Sequence, residues 1–268
     1  MKKKIQKLLI NIQVMLDFKG GGIASSEKRK QLRAKLIFQS GYKKLSKKEE
    51  KERNKKNNKL VIVGPNNIEL TNYKLEGLDI DFYGNNSTVI IHTPVNIQTS
   101  RIRIGNNSTI EIQSSKYLIK NLYAHARQDA QICIGKNFST NGCSLENHDE
   151  PNFKINIGED CMFSYGINVR VSDGHTIYDT NSLEALNVPK CNIEIGDHVW
   201  IGMHSTILKN SKIASNSIVG AKSLVSKIFD EENIIITGIP AKITKRNINW
   251  SRQNTYAYAQ PQEKDKSV

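Results

Sequence analysis

The sequence predicts an all-β fold: a parallel β-helix wound from six-residue steps, preceded by a basic α-helical N-terminal extension. Three observations predict it. Ile195, Ile201, Ile207, Ile213, Val219 and Val225 recur every six residues, and Ile157, Phe163 and Val169 keep the same step upstream. Turn-forming echoes punctuate the chain: GPNN at 64, GNNST at 84 and 105, GKNFS at 135, GEDCM at 158 and GDHVW at 196, at spacings of 20, 21, 30, 23 and 38. Charge is partitioned as well. Residues 1–59 hold 19 Lys and Arg against 5 Asp and Glu, a balance of +14, so the rest of a chain of net charge +13 sums to −1.

In the extension, Ile5, Leu8, Leu9, Ile12, Met15 and Leu16 fall on one stripe at helical spacing, which predicts an amphipathic helix. Two readings of that stripe stand: packing on the body or a neighbouring subunit, or docking on a membrane surface. Gly20-Gly21-Gly22 ends it, and a second helical stretch follows from about Glu27 to Gln39. Ser46-Lys47-Lys48-Glu49 has capping-box spacing. It opens a charged run to Lys59 with almost no apolar face, the pattern of a solvated helix or linker.

Several classes are disfavoured. No stretch approaches the roughly 20 apolar residues of a membrane span, and the start lacks the small-residue cleavage site of a secretion signal. Cys133, Cys143, Cys161 and Cys191 show no C-x-x-C spacing and read as buried thiols of a reducing compartment. The expectation is a cytoplasmic protein that at most touches the inner face of the membrane. Phe18, Phe38 and Tyr42 are the only aromatic residues among the extension's basic ones, too few for a nucleic-acid interface.

From residue 60 to about 250 the units IGDHVW, IGMHST, ILKNSK, IASNSI and VGAKSL each begin with an aliphatic residue, and four of the five carry Ser four places later. A six-residue step suits a short strand and a tight corner with the aliphatic side chain inward. Three steps close a triangular coil, and coils stack through backbone hydrogen bonds over one aliphatic column. A helix is excluded, because a period of six walks round its surface. The echo spacings then read as one coil plus loops of about 2, 3, 12, 5 and 20 residues. The longest excursion, about residues 172–192, breaks the beat at Asp173-Gly174-His175. Residues 251–268 form a C-terminal tail.

Within 60–250, the segments SDGHTIYD, IEIGDHVWIG, SIVGAKSLVSK, GIPAK and NINW resemble the hexapeptide-repeat acyltransferases. The branch they resemble O-acetylates capsular and other surface polysaccharides, sialic acid polymers among them. The resemblance implies a left-handed β-helix, an exception to the right-handed crossover rule, with acetyl-CoA as co-substrate and a homotrimer whose sites lie between subunits. Ile239 stands where Asn is commoner, and the first 59 residues have no counterpart in the core pattern.

Moving acetyl from a thioester to a sugar hydroxyl needs a base, and neutral His suits that work near pH 7. His175 stands where the column yields to the excursion, and the resemblance makes it that base. Asp173 either orients the imidazole or holds the loop's turn. Trp200, 25 residues on, is expected on the same edge one coil later, and the resemblance implies that its indole lines the acetyl and acceptor site. The backbone N–H of Met203 matches the family's oxyanion position. Gly220 and Ala221 resemble the backbone contacts along the pantetheine arm. Lys242 resembles the Lys that meets the nucleotide phosphates, with Lys245 and Arg246 assisting. No metal is expected: His198 and His204 lie six apart, the wrong spacing for two ligands on one face. His92, His125 and His148 read as ordinary surface residues.

The expected partner is a saccharide polymer, an anionic one being attracted by the basic extension. Acetylation of a small sugar or nucleotide sugar is the nearest alternative. A non-catalytic β-helix that binds a polyanion is the alternative from another class.

Overall fold

A computed structural model describes residues 42–71, 73–147 and 150–259. The Ile5–Leu16 stripe and the stretch 27–39 lie outside the described residues.

The body is a solenoid of three sheets, with nine, eight and seven strands, parallel throughout except for one antiparallel end strand in each of the two larger. The first face runs from Lys59–Val63 to Ile228–Phe229, the second from Asn96–Gln98 to Ile235–Gly238, and the third from Leu78–Phe82 to Leu224–Val225. Each coil visits the faces in that order. One coil, for example, uses Ile193–Ile195, Trp200–Ile201 and Thr206–Ile207.

The six-residue beat is the reason for this shape. Every member of the aliphatic series from Ile157 to Val225 is buried, at 3% exposure or less. Corners fall between them, and His198, His204, Asn210, Asn216 and Lys222 adopt left-handed φ of 53° to 62° at the same place in successive steps. The serines after them, Ser205, Ser211, Ser217 and Ser223, are buried and bond backbone groups of their own or neighbouring coils, as Ser205 Oγ does to the Gly220 carbonyl at 2.9 Å. A small hydroxyl thus satisfies a corner where backbones crowd. Downstream pairing is offset by 18 residues, Ile195 to Ile213 and Ile201 to Val219. Ile157 pairs with Ile195, so the 20 extra residues lie in the excursion.

Two spacings are corrected. The interval of 30 from Gly105 to Gly135 contains no 12-residue loop. Ile104 pairs with Ala126 and Ile112 with Ile134, so coils here advance by 22 residues, and the GKNFS echo sits one corner further round. The GPNN echo is not a coil corner. It turns the chain back so that Glu69–Leu70 runs antiparallel to Lys59–Val63.

The charged run is partly helical. Ser46 caps the helix Lys47–Lys55 in a complete capping box, and no residue of that helix is buried. Beside Lys74 and the Ser46 hydroxyl, the Glu49 carboxyl is pulled down to about 2. Before the helix, Lys43–Lys44 pairs with Tyr73–Lys74, and Leu45 is buried. Residues 42–59 therefore contact the first coils. Among the described residues no helix is long and apolar enough to cross a membrane.

Candidate active site

The excursion leaves the solenoid at the corner between the third and first faces. Strand Ile167–Arg170 ends the third face, and Gly174, at φ +85°, makes a turn that a side chain would strain. Its N–H donates to Ser172 Oγ at 3.0 Å. Beyond it the loop folds into a short hairpin, with a bridge between Tyr178 and Ala185 and an N–H of Leu186 donating to the Ile177 carbonyl at 2.7 Å. Asp179 closes the tip by accepting from the N–H groups of Asn181 and Ser182, bonds that also lower its pKa.

His175 is exposed, and its imidazole makes no hydrogen bond among the described residues. Its backbone, in contrast, is fixed. Asn187 Nδ2 donates to the His175 carbonyl at 2.8 Å and to Asp173 Oδ2 at 2.9 Å, while Asn187 Oδ1 accepts from the Ile177 N–H at 2.8 Å. Lys209, from the same corner one coil later, donates to Asp173 Oδ2 and to the Asn187 carbonyl. Asp173 is therefore a loop pin rather than an imidazole partner. Lys209 first, then Asn187, hold its carboxyl below the usual carboxylate range. A depressed folded-state pKa means that the pin is made above about pH 4 and lost only as pH falls through the lowered value. Asn187 and Lys209 were not legible as site residues. The available signal was Lys209's place at the equivalent corner.

Trp200 requires a correction. It lies on the second face, paired with Met162 and Ile218, across the prism from the corner that carries His175. The expected shared edge fails because the excursion, which runs on to about residue 192, takes up most of the interval between them without advancing the coil. Within one chain, His175 and Trp200 do not share an edge.

The corner between the second and third faces carries the other expected groups. There the N–H of Gly202 donates to Val219, and that of His204 to Tyr165, but Met203 N–H has no acceptor among the described residues. Ala221 N–H, one coil on, is likewise free, while Gly220 and Lys222 donate to Ile236 and Met203. Two outward N–H groups thus stand one coil apart, the geometry for backbone contacts to a ligand arm. Gly220 has a packing reason of its own, since a Cβ there would lie 2.5 Å from Thr237 Cγ2.

Lys242 and Lys245 are exposed on the closing antiparallel strand Ala241–Lys245. Arg246 is already paired, with Nε 2.8 Å from Glu231 Oε1, and so is no free cation for a phosphate.

Three other histidines have structural partners. His198 Nδ1 lies 2.7 Å from Asp160 Oδ2, His204 meets the Tyr165 ring edge-on, and His92 pairs with Glu111. His148 lies outside the described residues. Among those residues no group of three His, Cys, Asp or Glu side chains is placed to hold a metal ion. Burial pushes the Cys143 and Cys161 thiols up to about 12, which removes both as acyl carriers.

Comparisons with known proteins bear on this geometry. A family model described as bacterial transferase hexapeptide (six repeats) matches residues 192–227. The chain is 36% identical over 173 residues to a polysialic acid O-acetyltransferase of Neisseria meningitidis, a match covering 63% of this chain and 78% of the relative. Among solved structures it is similar to the polySia-specific acetyltransferase NeuO, with TM-score 0.61 and 27% identity over 74% of this chain and 87% of that one. It is similar also to the polysialic acid O-acetyltransferase OatWY, with TM-score 0.55 and 28% identity over 75% and 92% of the two chains. The solenoid is accordingly a left-handed β-helix.

Proposed function

The chain belongs to the hexapeptide-repeat O-acetyltransferases of surface polysaccharides, and from that premise we propose that it moves acetyl from acetyl-CoA to a hydroxyl of a saccharide polymer, polysialic acid being the acceptor to try first. The observation that carries this reading is the pinned excursion. An exposed His175 is mounted on a backbone that Asn187, Asp173 and Lys209 lock in place. Such a residue is free to meet substrate while its position is fixed.

In the mechanism we infer, the acceptor hydroxyl gives its proton to His175 as its oxygen attacks the thioester carbonyl. Met203 N–H donates to the oxygen that gains charge. Collapse of the tetrahedral species expels the thiolate, which takes the proton back from His175. Ala221 N–H and the ammonium groups of Lys242 and Lys245 support binding of coenzyme A along the corner and at its phosphates.

We propose a homotrimer with sites between subunits. The support is topological: His175 and Trp200 occupy opposite sides of the prism, so a site needing both requires a neighbour. The excursion also exposes Ile177, Leu183, Leu186 and Val188, at 54% to 73%, a surface that a neighbouring prism would cover. The test mixes two inactive variants, His175→Ala and Trp200→Ala, by denaturation and joint refolding. Random trimers should recover roughly a quarter of wild-type activity, since each shared site draws one intact residue from each of two subunits. Absence of recovery, with trimers present, would contradict shared sites.

The basic extension suits a cytoplasmic enzyme held near an anionic polymer or an anionic inner membrane face, through charges screened beyond roughly 8 Å at physiological salt. Residues 42–59 contact the body, so the informative truncation removes only 1–41. It should leave activity on short neutral acceptors unchanged and flatten the salt dependence on long anionic ones. An equal loss on every acceptor, with a lowered melting temperature, would assign the segment to packing instead.

A further inference from the structure

We propose that the cleft between Trp200 and the C-terminal tail is a neutral saccharide subsite. It rests on the acetyl-transfer reading and names where sugar units beside the reacting one are held. The tail crosses the second face as a fastened strap. Trp250 Nε1 donates to the His198 carbonyl at 2.7 Å, and its indole stacks on the His198 ring at 4.2 Å between centroids. The two nitrogens of His198 lie against Asp160 Oδ2 at 2.7 Å and the Trp250 carbonyl at 3.1 Å. This places Trp250 6.1 Å from Trp200, tilted by 47°. Between the strap and the face lies a cleft of about 760 Å³, lined by Met162, Trp200, Ile218, Trp250, Gln253 and Tyr258.

The lining chooses between ligand classes. Coenzyme A phosphates need free cations, and the one cation lining the cleft is Arg252. All three of its nitrogens are already engaged. Nε donates to Asp160 Oδ1 at 2.9 Å, one terminal nitrogen to Ser139 Oγ at 2.8 Å, and the other to the carbonyls of Asn137, Asp160 and Cys161 at 3.1 Å. The guanidinium also lies 3.9 Å from the Tyr117 ring centre. What remains is aromatic surface and amides. Asn249 and Asn254 use their side-chain oxygens on the N–H groups of Trp250 and Ala257, which leaves their NH₂ ends as donors beside the exposed Gln253. Ring faces for sugar C–H surfaces and amides for hydroxyls are the chemistry of saccharide recognition. The cleft therefore reads ring shape and hydroxyls, while attraction of polymer charge falls to other parts of the chain.

Trp200 and Trp250 are the chain's two tryptophans and both line this cleft, so tryptophan emission responds to its occupancy. The experiment titrates polysialic acid oligomers, and separately coenzyme A, into full-length wild type and into a Gln253→Ala/Tyr258→Ala double variant, without acetyl donor. Oligomers should change wild-type emission saturably. The variant should need about five-fold more oligomer or higher, with coenzyme A affinity within about two-fold and an unaltered melting temperature. Equal oligomer affinity in both proteins, a selective loss of coenzyme A binding, or no emission response to oligomers would overturn the subsite. Turnover is not involved, so binding without acetyl transfer would sink the reaction and leave the subsite standing.

Discussion

Replacing His175 by Ala is expected to lower the turnover of acetyl transfer by about 10²-fold or more, the usual worth of a positioned general base. Coenzyme A affinity and the melting temperature should stay near wild type. The reason lies in how the loop is held: Asn187 and Lys209 grip Asp173 and backbone carbonyls, and none of those bonds uses the imidazole. Removing the ring deletes the proton acceptor and leaves the excursion pinned. Steady-state kinetics at saturating acetyl-CoA, beside calorimetric binding, separate the two effects. Near-normal turnover would remove His175 from the mechanism, and a collapse of coenzyme A binding would mean that the ring serves the fold or the ligand instead.

Phe163→Ala should have the largest effect on stability, about 3–5 kcal/mol by urea unfolding, the range for emptying a buried aromatic site. Phe163 is 1% exposed and meets Phe138 edge-on at 5.0 Å between centroids. Its strand pairs with Thr140 on one side and Ile201 on the other, so the cavity would lie mid-column, where stacked coils cannot close in. The neighbouring strand carries Trp200, so activity should fall earlier on warming than in wild type. A loss below about 1 kcal/mol would show that the column relaxes freely, unlike close-packed interiors.

The fold was legible because its code is local. An inward aliphatic residue every sixth place, a left-handed corner residue three later and a small residue after that repeat from Ile201 to Val219, and the structure buries or bends each as its position requires. The N-terminal coils were less clear, since 22-residue coils blur the beat, and an echo such as GKNFS looks the same at any corner. The site was half legible. His175 and the free Met203 N–H follow from motif and corner position. The pins do not: Asp173 with Lys209 spans 36 residues, and Arg252 with Asp160 spans 92, and side-chain bonds at such separations leave no period to read. Trp200 was assigned to the wrong edge for a related reason, because sequence distance measures coil position only where no excursion intervenes.

The central claim is acetyl transfer to a saccharide hydroxyl, and following the acetyl group itself tests it most directly. Isotope-labelled acetyl-CoA is incubated with the full-length protein and polysialic acid, and the polymer is then separated and treated with mild base. Label should move to the polymer in amounts matching the thiol released, come off with base as an ester does, and fail to move with His175→Ala. Thiol release that leaves the polymer unlabelled, or label that resists base, would contradict O-acetyl transfer to this acceptor.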